Sequence, residues 1–289
     1  MVTRVEASRL RLPDGRSLAY SEYGDPRGRP LLYFHGGMSS RIDIEFAADY
    51  CRQNKIRIIS PDRPGTGLSD ALPKGQLSLL SWTEDVEQLL QSLKIESLPL
   101  LGWSLAGPYV FACAHRLPQI SRAATIGAAG RLDDPKAVAE LGLFLDRMIL
   151  TYPDNMMWLV TAGIMLSASL PPPILKQVMI SDLSANADRE VIRNQTPENA
   201  TAFLYESVRQ GPQGIIDDYK ATQRPWHFDP SEIKIEVQLW QGGDDKLCPM
   251  SMARSLENSI PRAELNIVPG QGHFLLHNKL SDVLAKLMD

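Results

Sequence analysis

The chain has 289 residues, 44% of them hydrophobic, with a formal net charge of −4 and three cysteines. That composition supports a substantial folded core and excludes a disordered chain, and the absence of any basic run argues against nucleic acid as a partner. Cys51, Cys113 and Cys248 are unclustered, so neither a disulfide framework nor a zinc site is expected; residues 1–6 carry no apolar signal segment, and a cytoplasmic location fits both observations.

In chain order, residues 8–23 predict a β-hairpin: Arg9-Leu10-Arg11-Leu12 and Leu18-Ala19-Tyr20 flank Pro13-Asp14-Gly15, an Asp-Gly turn signal. Residues 30–34 and 56–60 read as short apolar strands separated by a helical stretch around 43–54, an order that implies a parallel crossover. Apolar residues at helical spacing over 77–93 predict a helix leading into the strand Leu98-Pro99-Leu100-Leu101. A buried helix is expected over 108–117 and a strand over 123–127. From 131 to 224 strand signals give way to helix-like stretches punctuated by Tyr152-Pro153-Asp154, Pro171-Pro172-Pro173 and Gln195-Thr196-Pro197, the pattern of a helical insertion. Its longest uncharged part, 155–175, has an apolar portion shorter than the roughly 20 residues a membrane span needs. A buried or site-covering helix is expected there; Met148, Met156, Met157, Trp158 and Met165 are candidates for lining an apolar pocket, and ordinary packing within the insertion accounts for them equally well. Strands resume over 235–240 and 263–268, and an amphipathic helix closes the chain over 281–288.

The chemistry centres on Gly102-Trp103-Ser104-Leu105-Ala106-Gly107, between a strand and a helix. A serine in such a sharp turn, flanked by small residues, projects Oγ above the sheet, with the first helix amides facing whatever it attacks. Its hydroxyl is a weak nucleophile without a base. Of the five histidines, His273 is the best placed, in Gly270-Gln271-Gly272-His273-Phe274 directly after the last strand, because strand ends hold the site in an open α/β sheet. His277 reads as a surface or capping residue, His115 as packed within the helix after the serine, and His35 as a brace for its glycine loop. The base needs a carboxylate to fix its tautomer. The loop Gly242-Gly243-Asp244-Asp245-Lys246-Leu247-Cys248-Pro249 offers Asp244 and Asp245, which spacing alone does not separate. The amide of Leu105, next after the serine, is the first expected oxyanion donor. No dinucleotide fingerprint, phosphate loop or His-Glu-x-x-His motif occurs, so neither cofactor nor metal is implied.

These motifs resemble those of the α/β-hydrolase family, with Ala106 in place of the last glycine of the family's G-x-S-x-G pattern. The resemblance implies a mostly parallel central sheet flanked by helices, with 1–130 and 225–289 as the core domain and 131–224 as a helical cap. It implies Asp245 as the acid, through the family's G-x-x-D-x-x-x-P pattern, with Asp133 and Asp134 as a minority alternative. It also implies Gly37 of His35-Gly36-Gly37 as the second oxyanion donor, with Met38 as fallback, and makes Asp62-Arg63-Pro64-Gly65-Thr66-Gly67-Leu68-Ser69 a turn that shapes the pocket or, more simply, a tight loop that supports the site. The expected activity is hydrolysis of an uncharged or weakly polar carboxylic ester, with no nucleic-acid or membrane partner. Carbon–carbon bond hydrolysis and cofactor-free perhydrolysis share the same triad, and small-molecule sensing shares the fold. Oligomeric state is not read from the sequence.

Overall fold

A computed structural model describes residues 7–289; residues 1–6, where no secretion signal is expected, lie outside the described residues. Gly15, at φ 91°, makes the turn that joins β1 (Ser8–Arg11) to β2 (Ser17–Gly24) as an antiparallel pair. The remaining strands are β3 (Arg29–Phe34), β4 (Ile56–Pro61), β5 (Leu98–Trp103), β6 (Ile120–Ile126), β7 (Glu236–Gly242) and β8 (Ala263–Val268), and all eight form one sheet in the order β1-β2-β4-β3-β5-β6-β7-β8. From β4 to β8 every pairing is parallel. The central strands are continuous apolar runs because helices cover both faces. On one face lie α2 (Leu79–Ser92) and α3 (Gly107–Arg116), which bury Trp82, Leu89, Tyr109 and Phe111 against the sheet. On the other, α1 (Ala48–Gln53) buries Cys51 beside Leu284 and Leu287 of the C-terminal helix. Local signals start these helices: Ser78 and Ser81 form a reciprocal capping box on α2, and Pro108 sits in the first turn of α3.

The connection β3 to β4 runs to one side of β3, whereas β5 crosses to its other side. This reversal opens a crevice beyond the carboxyl ends of β3 and β5, where open α/β sheets bind ligands. Register aligns Phe34, Gly102, Thr125, Leu239 and Leu265 in one row across the sheet. The residues that follow each strand therefore converge on one rim.

Between β6 and β7 the described chain is helical: α4 (Pro135–Glu140), α5 (Phe144–Thr151), α6 (Met157–Ser169), α7 (Pro172–Asp182), α8 (Asn186–Arg193), α9 (Pro197–Ser207) and α10 (Gln213–Thr222). After β7 come α11 (Met250–Ser259) and α12 (Leu276–Met288). Three local expectations shift. Strand β6 starts at Ile120 and stops before Gly127, which takes φ 51°. Helix α12 starts at Leu276, well before 281, with a kink at Lys279. Helix α6 is apolar all round but not enclosed: Val160 and Ile164 are buried, whereas Trp158 and Leu166 are each 66% exposed. No helix among the described residues is long and apolar enough to cross a membrane.

Two buried ion pairs fasten the helical segment to the sheet. Arg63, in the loop after β4, makes a two-pronged pair with Asp218 of α10 at 2.8 Å on both prongs, and donates to the carbonyls of His35 and Gly36. Arg41 bridges Asp62 at 2.7 Å and Glu206 of α9 at 2.8 Å. Planar guanidinium groups suit such sites because one fork satisfies several acceptors at fixed angles.

Candidate active site

Ser104 follows β5 at φ 59°, a left-handed conformation that costs a non-glycine residue energy unless its surroundings impose it. They do. A Cβ on Gly102 would lie 2.4 Å from Val110 Cγ2 and 3.1 Å from the Ala106 methyl, and one on Gly107 would lie 2.8 Å from the Ala129 carbonyl oxygen. Ala129 N–H holds the Ser104 carbonyl at 3.0 Å. The departure at Ala106 is thus accommodated: its methyl group faces the space that Gly102 leaves, and the closest approach to the neighbouring β6 loop is made by Gly107.

His273 Nδ1 and Asp245 Oδ2 are 2.9 Å apart and both residues are buried. The other carboxylate oxygen of Asp245 accepts the amides of Leu247 at 2.8 Å and Cys248 at 3.0 Å. Asp244 is exposed, and Asp134 caps α4 while Asp133 pairs with Arg131. Of the acids the sequence offered, Asp245 is the one on the imidazole. Burial pulls the His273 imidazole down, but the carboxylates of Asp245, Asp188 and Asp146 push it up, and the net shift is above its ordinary value. Gly127 lies against this pair: a Cβ there would sit 2.8 Å from both Asp245 Oδ2 and His273 Nδ1. Gly127→Ala should therefore cut turnover at least about 100-fold, since displacements near 1 Å carry that cost. Comparing kcat with the urea midpoint tests this: a larger loss of stability with normal kcat would contradict it.

Ser104 and His273 face one cavity of about 200 Å³. Among the described residues no hydrogen bond joins their side chains, and the buried Cys248 thiol lines the same cavity. Burial, with the charges of Asp245 and Asp146, pushes that thiol well above its ordinary value, so it stays protonated and is no rival nucleophile. Serine–base contacts commonly tighten only when substrate arrives.

The loop after β3 is held from below. His35 is buried and neutral, because burial and the nearby Arg63 and Arg41 charges pull its pKa well below the ordinary value; its Nδ1 meets the Gly36 carbonyl at 2.9 Å and its Nε2 accepts Arg63 N–H at 3.2 Å. Gly36 N–H donates to Asp43 Oδ2 at 3.2 Å, which leaves Gly37 and Met38 as the loop's next amides beside the cavity. A Cβ on Gly36 would touch the Trp103 ring at 2.8 Å and one on Gly37 the Tyr219 Oη at 2.4 Å, so a side chain at either position would displace that ring. Met38 takes φ 47°, a turn that ends the loop. On the opposite side, Leu105 N–H precedes the first intrahelical bond and has no helical acceptor.

Several cavity residues carry no sequence motif. Tyr219 Oη donates to Asp146 Oδ1 at 2.8 Å, and burial pushes the Asp146 carboxyl up to about 6. Leu143, Ile164, Leu175, Val178, Phe203 and Phe274 supply apolar walls. The methionines at the cavity are Met38 and Met179; Met148 and Met157 pack in a neighbouring apolar cluster, whereas Met156, Trp158 and Met165 are exposed. Met148 and Met157 thus follow the ordinary-packing reading, since a short apolar run identifies a helix but not which of its faces turns inward. His277 is half-buried, stacked on Phe46 at 3.8 Å, and burial pulls its imidazole down to about 4. His115 sits on the open face of α3 against Phe228, so the two expectations for these histidines exchange places. No three His, Cys, Asp or Glu side chains among the described residues are grouped to hold a metal ion.

A family model described as alpha/beta hydrolase fold matches residues 29–157. The chain is 24% identical over 262 residues to a 2-hydroxymuconate semialdehyde hydrolase of Pseudomonas putida, covering 86% of this chain and 81% of the relative. It is also 24% identical over 300 residues to a putative proline iminopeptidase of Mycoplasma pneumoniae, covering 91% of each. Among solved structures, a thermophilic esterase from Thermogutta terrifontis aligns with a TM-score of 0.69 at 20% identity, over 98% of this chain and 97% of that one. A meta-cleavage product hydrolase from Pseudomonas fluorescens aligns with a TM-score of 0.68 at 20% identity, over 98% and 97%. Similarity at this level carries the fold; the chemistry rests on the residues.

Proposed function

The chain is an α/β-hydrolase-fold protein, and on that premise we propose that it is a serine hydrolase of neutral carboxylic esters, with helices of 131–224 capping the site on a core formed by 1–130 and 225–289. The observation that carries the reading is the buried His273–Asp245 pair, at 2.9 Å, on the cavity wall that Ser104 enters at φ 59°. Ser104 Oγ attacks the ester carbonyl while its proton passes to His273 Nε2. Asp245 keeps the Nδ1–H tautomer and stabilises the imidazolium. The developing oxyanion lies between the amides of Leu105 and Gly37. His273 then protonates the leaving alcohol, and a water molecule, deprotonated by the same imidazole, releases the acid and restores Ser104.

The cavity's charges bear on the substrate. Besides His273, its ionisable lining includes the carboxylates Asp146 and Asp182 and no lysine or arginine. An anionic acyl group would meet like charge there. That favours a neutral ester over an anion such as the 2-hydroxymuconate semialdehyde for which the Pseudomonas putida relative is named, since an anion would need a cationic partner. Asp146→Asn is expected to raise kcat/KM for an aryl hemiglutarate relative to the neutral aryl butyrate about tenfold, the equivalent of about 1.4 kcal/mol; an unchanged ratio would show that this carboxylate does not sort substrates.

The experiment for the function is a panel of 4-nitrophenyl acetate, 4-nitrophenyl butyrate and a carboxylated vinylogous 1,5-diketone, with a fluorophosphonate probe mapped by mass spectrometry. Ester turnover with the adduct on Ser104 is expected. Diketone cleavage without ester turnover would move the reaction to carbon–carbon hydrolysis, and neither turnover nor adduct would favour a binding role.

A further inference from the structure

Asp188, the third residue of α8, is 2% exposed and belongs to the helical segment, far in sequence from the loop it touches. Its Oδ2 accepts His273 N–H at 2.9 Å and its Oδ1 accepts Phe274 N–H at 2.8 Å. The approach is possible only because residue 272 is glycine: a Cβ there would lie 2.3 Å from Asp188 Oδ2. On the far side of the same residue, Trp103 Nε1 donates to the His273 carbonyl at 3.1 Å. The His273 backbone is thereby gripped at its N–H by α8 and at its C=O by the residue preceding the nucleophile, while Asp245 holds its ring. Phe274 also packs with Val191 and Ile192 of α8, so the contact is apolar as well as polar.

We infer that Asp188 is a positioning residue for His273, through which the helical segment sets the placement of the base relative to Ser104. The inference rests on the reading of His273 as the base. A carboxylate that accepts two successive amides fixes both the distance and the rotation of that backbone, and an imidazole displaced by a fraction of its reach to Ser104 loses rate steeply. The charged groups facing His273 are Asp245, Asp188 and Asp146, and those facing Asp188 are His273 and Asp245. Removing the Asp188 charge takes away one of three groups that push the imidazole upward.

The test is the second-order rate of fluorophosphonate inactivation against pH, which needs no knowledge of the natural substrate. Asp188→Ala is expected to lower the plateau rate on the order of 100-fold, and both Asp188→Ala and the volume-conserving Asp188→Asn are expected to move the acid-limb midpoint to lower pH. Val191→Ala, which trims the apolar part of the same contact, should lower Tm without moving the midpoint. If Asp188→Ala does not fold, Asp188→Asn gives the midpoint readout, and Gly272→Ala, which pushes the carboxylate off the His273 backbone but keeps its charge, gives the plateau-rate readout. A wild-type rate and midpoint in the folded Asp188 variants would overturn the inference while leaving the base in place. A wild-type rate in His273→Ala would overturn both.

Discussion

Ser104→Ala is expected to lower kcat/KM for a 4-nitrophenyl ester by about 10⁵- to 10⁶-fold and to abolish fluorophosphonate labelling. The loss is this large because the acyl-enzyme route disappears, and what remains is water attack helped only by binding and the oxyanion amides. The variant should fold normally. Alanine removes one oxygen, keeps the strained φ of 59° that the Gly102, Ala106 and Gly107 contacts impose, and leaves Leu105 N–H in place. Cys248 remains a protonated, buried thiol. Circular dichroism and thermal denaturation therefore serve as controls for a kinetic measurement. Retention of more than about a hundredth of the activity would remove Ser104 from the role of nucleophile, because oxyanion stabilisation alone does not leave that much.

Asp245→Asn is expected to cost about 10⁴-fold in kcat, against less than about twofold for Asp244→Asn. The reason lies in the side of the carboxylate that faces away from the base. Oδ1 accepts two amides, Leu247 at 2.8 Å and Cys248 at 3.0 Å, so an asparagine must place its oxygen there. Its NH₂ then faces His273 Nδ1, which has to become the acceptor, and the ring proton moves to Nε2. A histidine in that tautomer cannot take the proton of Ser104. The acid limb of kcat/KM also moves to lower pH, since one of the carboxylates that push the imidazole upward is gone. Asp244 is exposed, and its amide bond to the Gln271 carbonyl survives the change. The reverse pattern of losses would place the acid one residue earlier.

The parts of this site that are legible in the sequence are those whose position follows from local backbone geometry. Ser104 and its small neighbours encode a turn, the glycines around His273 encode a loop after a strand, and both stand on the rim because parallel strands end there. Even Asp245 follows a strand end, although choosing it over Asp244 needs the direction of one side chain. Asp146, Asp188 and Tyr219 have no such signature. They lie on helices whose apolar spacing identifies an inward face without saying what it meets, and each reaches the site by tertiary packing: Tyr219 bonds Asp146 across 73 residues and Asp188 bonds His273 across 85. The same limit explains the exchanged surroundings of His115 and His277.

The two-pronged contact between Arg63 and Asp218 spans 155 residues. During synthesis Arg63 leaves the ribosome 155 residues before that carboxylate, an interval of roughly 10 to 30 seconds at ordinary elongation rates. Through that time the guanidinium beneath the His35-Gly36-Gly37 loop lacks this partner, and its burial among the loop carbonyls and over the Tyr109 ring is costly without it. The rim beyond the carboxyl ends of β3 and β5 is thus completed only once α10 has been made and docks.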